Sequence, residues 1–131
     1  MLALVADDNS GVCRLIRALC SRAGLDALSC SCGQELVEAA RLLRPPVIIS
    51  DLHMPGKPDG LQACLVLRRE LPGTKFILMT GDPTSLPALR DAGFNLILNK
   101  PLHMAEVIDL ISAVACALAL MQGQTPPPAM D

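Results

Sequence analysis

Tryptophan and tyrosine are absent from this chain of 131 residues, and phenylalanine occurs twice. No ring is therefore placed to stack on a flavin, which argues against that cofactor. Positive charge is not in excess: 11 Lys and Arg stand against 13 Asp and Glu, a net charge of −2. Binding nucleic acid needs a basic stripe to neutralise phosphates, and no helix-turn-helix-like segment is present, so no nucleic-acid partner is expected. The six cysteines include no C-x-x-C pair with a second pair downstream. Cys13 and Cys20 share a predicted helix, Cys30 and Cys32 flank one serine, and Cys64 and Cys116 stand alone, a spacing that suits neither zinc nor a disulfide framework. Reduced, mostly buried thiols of a cytoplasmic protein are the expectation. The first eight residues lack the basic flank and cleavage site of a secretory signal. The apolar stretch 107–121 is shorter than the roughly 20 residues of a membrane span and is interrupted by Asp109, so it reads as a soluble helix and no membrane partner is expected.

What is present is alternation. Runs such as Leu2, Ala3, Leu4, Val5, Ala6 and Val47, Ile48, Ile49 have no polar interleaving, as strands buried on both faces require. Five strands (2–6, 26–32, 47–51, 75–80 and 96–99), of which 26–32 has polar residues interleaved and is expected at a sheet edge, alternate with helical patterns at about 10–22, 34–43, 60–71, 85–92 and 103–121. This is an α/β pattern, a parallel sheet with helices on both faces. In the first helix Val12, Leu15, Ile16, Leu19 and Cys20 form the inward stripe, with Asn9 or Ser10 as cap and Gly24 as stop. In the third, Leu61, Cys64, Leu65 and Leu71 are expected to face inward. The last helix has a stripe of Val107, Leu110, Ile111, Val114 and Leu118. Ile108, Ala115, Ala119 and Leu120 extend apolar surface beyond it, which suggests a partner face. Residues 1–121 read as one domain, and 122–131, rich in proline, as a disordered tail or the start of a linker.

The polar residues fall at strand ends. Asp7 and Asp8 follow the first strand, Asp51 closes the third, Thr80 the fourth, and Lys100 follows the fifth. The carboxyl edge of an open α/β sheet is where ligands collect, so these positions converge. Like charges at about 4 Å repel by about 4 kcal/mol at an effective dielectric near ~20. Gathering Asp7, Asp8 and Asp51 makes sense around a hard divalent cation, and oxygen ligands with room for water suit Mg²⁺. Lys100 adds a second cation and Thr80 a hydroxyl donor, leaving Asp51 as an in-line nucleophile toward a phosphoryl group.

Asp7–Asp8, Asp51 with Leu52, His53, Met54 and Pro55, Asp59–Gly60, Thr80–Gly81 and Lys100–Pro101 resemble the receiver domain of two-component response regulators over about residues 2–121. The resemblance implies a flavodoxin-like, doubly wound five-stranded parallel sheet of order 2-1-3-4-5 and a cis Lys100–Pro101 bond. It implies that Asp51 is the phosphoacceptor, with Thr80 and Lys100 binding the phosphoryl group. Asp8 would ligate Mg²⁺ directly, Asp7 mainly through water, and the backbone carbonyl of His53 would be a further ligand. The donor would be a phosphohistidine on a sensor histidine kinase or a phosphotransfer protein. The output would be a downstream protein effector, or a homodimer, through the fourth helix, fifth strand and last helix.

Three features depart from the family pattern. Ile97 stands where an aromatic ring usually lies three residues before the lysine, which touches the threonine–aromatic relay and leaves phosphorylation intact. The loop of Gly56, Lys57, Pro58, Asp59 and Gly60 is about one residue longer than usual. His53 and Asp82 occupy the positions that tune access of attacking water, and Asp82 is expected to orient that water. Two other classes compete. One is an aspartyl-phosphate phosphatase, which needs a second acid where His53 stands. The other is a constitutive docking receiver that does not switch. On the first reading the chain is a regulatory phosphoacceptor rather than an enzyme, although it promotes its own phosphorylation and dephosphorylation.

Overall fold

The computed structural model describes residues 1–123, and the proline-rich tail lies outside them from residue 124 on. Strands β1 (Leu2–Ala6), β2 (Asp26–Cys30), β3 (Val47–Asp51), β4 (Lys75–Thr80) and β5 (Leu96–Asn99) alternate with helices α1 (Ser10–Arg22), α2 (Gly33–Leu43), α3 (Gly60–Glu70), α4 (Leu86–Asp91) and α5 (Met104–Met121). All pairings are parallel and the order is β2-β1-β3-β4-β5. The chain reverses its direction of winding at β1, and so places the ends of β1 and β3 side by side. β3 is buried along its whole length, which is why its sequence carries no alternation.

Two apolar layers hold the sheet. On one face Val5, Ile49, Ile77 and Met79 meet Ile16, Leu19 and Cys20 of α1 and Val107, Ile111, Val114 and Leu118 of α5. On the other Leu4, Ile48 and Leu78 meet Leu36 of α2, Cys64 and Leu67 of α3 and Leu89 of α4. Asn9 caps α1 by accepting from the backbone N–H of Gly11 and Val12, and the chain leaves that helix through Gly24 at φ 87°. Asp59 and Gln62 form a reciprocal capping box at the start of α3.

Several expected boundaries and faces shift. β2 stops at Cys30, two residues early, because Ser31 turns its hydroxyl to Glu35 and Cys32 becomes the cap position of α2. Residues 83–85 form a separate 3₁₀ turn before α4. Leu15 and Leu65, expected inward, are exposed, and Cys13 and Ala63 fill those inward places. Ala115 and Ala119 are buried rather than outward, so the apolar excess on α5 shrinks to its carboxyl end, where Leu120 and Met121 are exposed. α5 is long and apolar enough to cross a membrane by length and composition, but here it closes one core layer.

Two glycines at helix starts permit close approaches that any Cβ would block. A Cβ on Gly33 would lie 2.1 Å from the Pro58 carbonyl oxygen, and one on Gly60 would lie 1.8 Å from that of Asp51. The 52–59 loop is therefore in contact with the first turn of α2 at its carboxyl end, where it leads into α3. Its Lys57–Pro58 peptide is cis, as is Lys100–Pro101.

Candidate functional site

The centre of the site is a shared ammonium. Lys100 Nζ donates to Asp7 Oδ2 and to Asp51 Oδ2, each at 2.8 Å. Both carboxylates are nearly sealed from solvent, at 1% exposure for Asp7 and 5% for Asp51. Their other oxygens are also engaged: Asp7 Oδ1 accepts from Asn9 N–H at 2.9 Å, and Asp51 Oδ1 from His53 N–H at 3.2 Å. Burial works to lower the Lys100 pKa, but the hydrogen bonds from its ammonium to Asp51 and Asp7 outweigh it, so the group is held above its ordinary value. The backbone fixes this geometry. Asp7 N–H donates to the Cys30 carbonyl, Leu52 N–H to Met79 and Lys100 N–H to Thr80, so the end of β1 is tied to that of β2, and the ends of β3 and β5 to that of β4.

Asp8 is exposed and makes no side-chain hydrogen bond among the described residues. One carboxylate oxygen from each of Asp7, Asp8 and Asp51 lies within 4.8 Å of the others, an oxygen donor set that fits a small hard cation. The structure thus brings Asp7, Asp8, Asp51 and Lys100 into one constellation. His53 is tied to it through the backbone N–H–Asp51 bond, while its side chain is exposed.

Thr80 is buried at the end of β4, next to the group but hydrogen-bonded elsewhere. Its Oγ1 accepts from Asp82 N–H at 3.1 Å and lies 3.4 Å from Ser85 Oγ. Asp82, expected to face an attacking water, spends its carboxylate on the 3₁₀ turn: Oδ1 accepts from Thr84 N–H at 3.0 Å and Thr84 Oγ1 at 2.6 Å. Those bonds hold its pKa below the usual carboxylate range. Ile97 is half-buried against the core layer beneath α2, α3 and α4. Sequence reasoning missed Ser85, which carries no motif signal, and the steric role of Gly60, visible in the sequence only as the glycine after Asp59.

A profile described as the response regulator receiver domain matches residues 3–112 of the chain. The chain belongs to this family.

Receivers of two-component response regulators are regulatory domains, and the curated relatives agree. The alkaline phosphatase synthesis transcriptional regulatory protein PhoP of Bacillus subtilis is 26% identical over 113 residues, covering 85% of this chain and 47% of PhoP. The DNA-binding transcriptional regulator NtrC of Klebsiella pneumoniae is 27% identical over 113 residues, covering 84% of this chain and 24% of NtrC. The chain thus spans half or less of the length of these relatives. Among solved structures, the Francisella response regulator 1452 receiver domain superposes with a TM-score of 0.76 at 23% identity, covering 86% of this chain and 94% of that one. The isolated receiver of RcsB from Salmonella enterica, solved with the phosphomimetic BeF₃⁻, gives a TM-score of 0.74 at 25% identity, covering 98% and 93%. The flavodoxin-like fold and its strand order are those of this family.

Proposed function

We propose that Asp51 accepts a phosphoryl group from a phosphohistidine of a sensor histidine kinase or phosphotransfer protein, in a Mg²⁺-dependent reaction, and that a protein partner reads the altered surface. The observation that carries this reading is the Lys100 ammonium held between two buried carboxylates, one of which closes β3 at the open edge of the sheet. An Asp51 carboxylate oxygen forms the new P–O bond while the P–N bond of the phosphoimidazole breaks, and the imidazole leaves with its electron pair. Lys100 exchanges part of its contact with Asp51 for the incoming phosphoryl oxygens. Asp7, Asp8, Asp51 and the His53 carbonyl would hold Mg²⁺, which supplies charge neutralisation at the phosphoryl oxygens. Asp7 already has both oxygens engaged whereas Asp8 is free, which supports direct ligation by Asp8 and a water-mediated role for Asp7.

The acceptor works in the cytoplasm on this reading, and its output surface is α4, β5 and the exposed side of α5. No nucleic-acid partner belongs to this reading. Ile97, packed and aliphatic, favours one second reading, a receiver that docks without switching. Incubation with Mg²⁺ and acetyl phosphate followed by intact mass measurement tests the first. The expected result is one added phosphoryl group, absent in Asp51→Asn and reduced without magnesium. No mass gain in the wild type overturns the phosphoacceptor assignment and leaves the docking reading.

A further inference from the structure

The fourth helix is fastened unevenly. Of its six residues only Leu89 is buried, so apolar packing gives α4 a single firm attachment to the core. Its two ends are tied down by different means. At the amino end every polar bond is local. Ser85 Oγ donates to the Asp82 carbonyl within the 3₁₀ turn, and the turn reaches β4 through Thr80. Thr80 Oγ1 accepts from Asp82 N–H at 3.1 Å, donates to the Asp82 carbonyl at 3.5 Å and lies 3.4 Å from Ser85 Oγ. These three contacts are neutral, and two of them are long. No side chain caps the start of α4.

At the carboxyl end a cation from another helix takes hold. Arg68, in the last turn of α3, donates from Nη1 to the carbonyl of Ala92, the residue that closes α4. Carbonyls at a helix end lack an internal partner, and a bond from a charged donor is roughly twice as strong as a neutral one. The same guanidinium lies 4.8 Å from the centre of the buried Phe94 ring, which meets Phe76 of β4 edge-on at 6.0 Å. Gly93, between Ala92 and Phe94, has φ 91°, and a Cβ there would overlap the guanidinium. Among the described residues no other side-chain hydrogen bond or ion pair joins α4 or its closing residues to another helix.

We propose that Arg68 anchors the carboxyl end of α4 to α3 and makes it the fulcrum of a lever whose loose end lies beside the site. The amino end of α4 follows β4, at the sheet edge that holds Asp51. A rearrangement of the turn at Thr80 therefore swings the exposed side of α4 about Ala92 and leaves the helix intact. This deepens the reading of α4 as part of the output surface. The trigger rests on Asp51 as phosphoacceptor, whereas the anchor does not.

Amide hydrogen exchange on the full chain, followed by NMR, tests the anchor without a phosphodonor. Thr84, Ser85 and Leu86 at one end, and Ala92, Gly93 and Phe94 at the other, all have hydrogen-bonded amides. In the wild type the first three are expected to exchange about tenfold faster than the last three, corrected for intrinsic rates. Arg68→Ala is expected to speed the last three by about tenfold and to leave α3 and β4 unchanged. Arg69→Ala removes the neighbouring exposed arginine, which makes no bond to α4, and is expected to change nothing there. Equal protection of both ends in the wild type overturns the lever, and unchanged protection of residues 92–94 in Arg68→Ala overturns the anchor. Acceleration spread over the whole chain, or matched by Arg69→Ala, overturns it too. In a second arm, BeF₃⁻ with Mg²⁺ is expected to move the resonances of residues 84–86 and leave Gly93 and Phe94 in place, unless Arg68 is replaced by alanine. Equal movement at both ends in the wild type overturns the fulcrum. Absence of a mass gain from acetyl phosphate sinks the Asp51 assignment instead, and the exchange result still decides the anchor.

Discussion

A single cation, Lys100, bridges the two buried carboxylates at the centre of this receiver, and that makes it a stability residue. Its side chain is 27% exposed and sits between carboxylates that are almost fully covered. Removing one partner of a buried ion pair leaves charge uncompensated, at a cost on the order of 3 kcal/mol. Lys100→Ala is therefore expected to lower stability at neutral pH by about that amount in urea denaturation followed by circular dichroism. Adding Asp51→Asn to that variant should restore part of the loss, since one of the two orphaned charges is gone. An unchanged midpoint in Lys100→Ala would contradict the ion-pair geometry. The same geometry narrows the crowding argument drawn from the sequence: Lys100 already offsets Asp7 and Asp51, and Asp8 stands in solvent. Asp7, Asp51, Thr80 and Lys100 were legible because each ends or follows an unbroken apolar run. Ser85 and the contact of Gly60 with Asp51 were not, because close approach between separate elements leaves no periodic trace in one chain.

At the level of elements, caps and helix faces decide how the site is framed. α3 begins where the loop after Asp51 ends, and its start is fixed by the box in which Asp59 Oδ1 accepts from Gln62 N–H at 2.8 Å and Gln62 Oε1 from Asp59 N–H at 3.0 Å. Asp59→Ala is expected to cost about 1 kcal/mol, or about 3–5 °C in melting temperature. Asp59→Ser should recover most of it, and a melt identical to wild type would mean that the cap contributes nothing. The order and type of all five strands and five helices followed from hydrophobic pattern, but the faces did not follow completely. Leu15 and Leu65 lie on the outer margins of their stripes, where a turn of about 100° per residue leaves the choice to neighbouring volume. Cys13 and Ala63 are small enough to let α1 and α3 sit close to the sheet, and the leucines are left outside. The same logic buries Ala115 and Ala119 on α5, which were expected to widen an exterior surface. Composition measures their apolarity, but the distance between helix and sheet decides their burial.

Across the whole molecule, both core layers contain ionisable thiols kept neutral by burial. Cys20 lies in one layer and Cys30 and Cys64 in the other. Desolvation raises Cys20 and Cys30 to about 11 and Cys64 to about 12, from an ordinary 9.0. In the unfolded chain these thiols lose protons first. Stability is thus unaffected by them below about pH 9 and falls as pH rises from there through their folded values. Melting temperatures under reducing conditions should drop between pH 9 and 10.5, and Cys64→Ala should flatten that slope; a slope unchanged by the substitution would sink the assignment. One further consequence comes from the two glycine contacts. Because Gly33 abuts the Pro58 carbonyl and Gly60 abuts that of Asp51, the segment between them acts as a spacer of fixed thickness between α2 and Asp51. The amino end of α2 has mechanical purchase on the end of β3, and bulk added at Gly33 would reach Asp51 from behind.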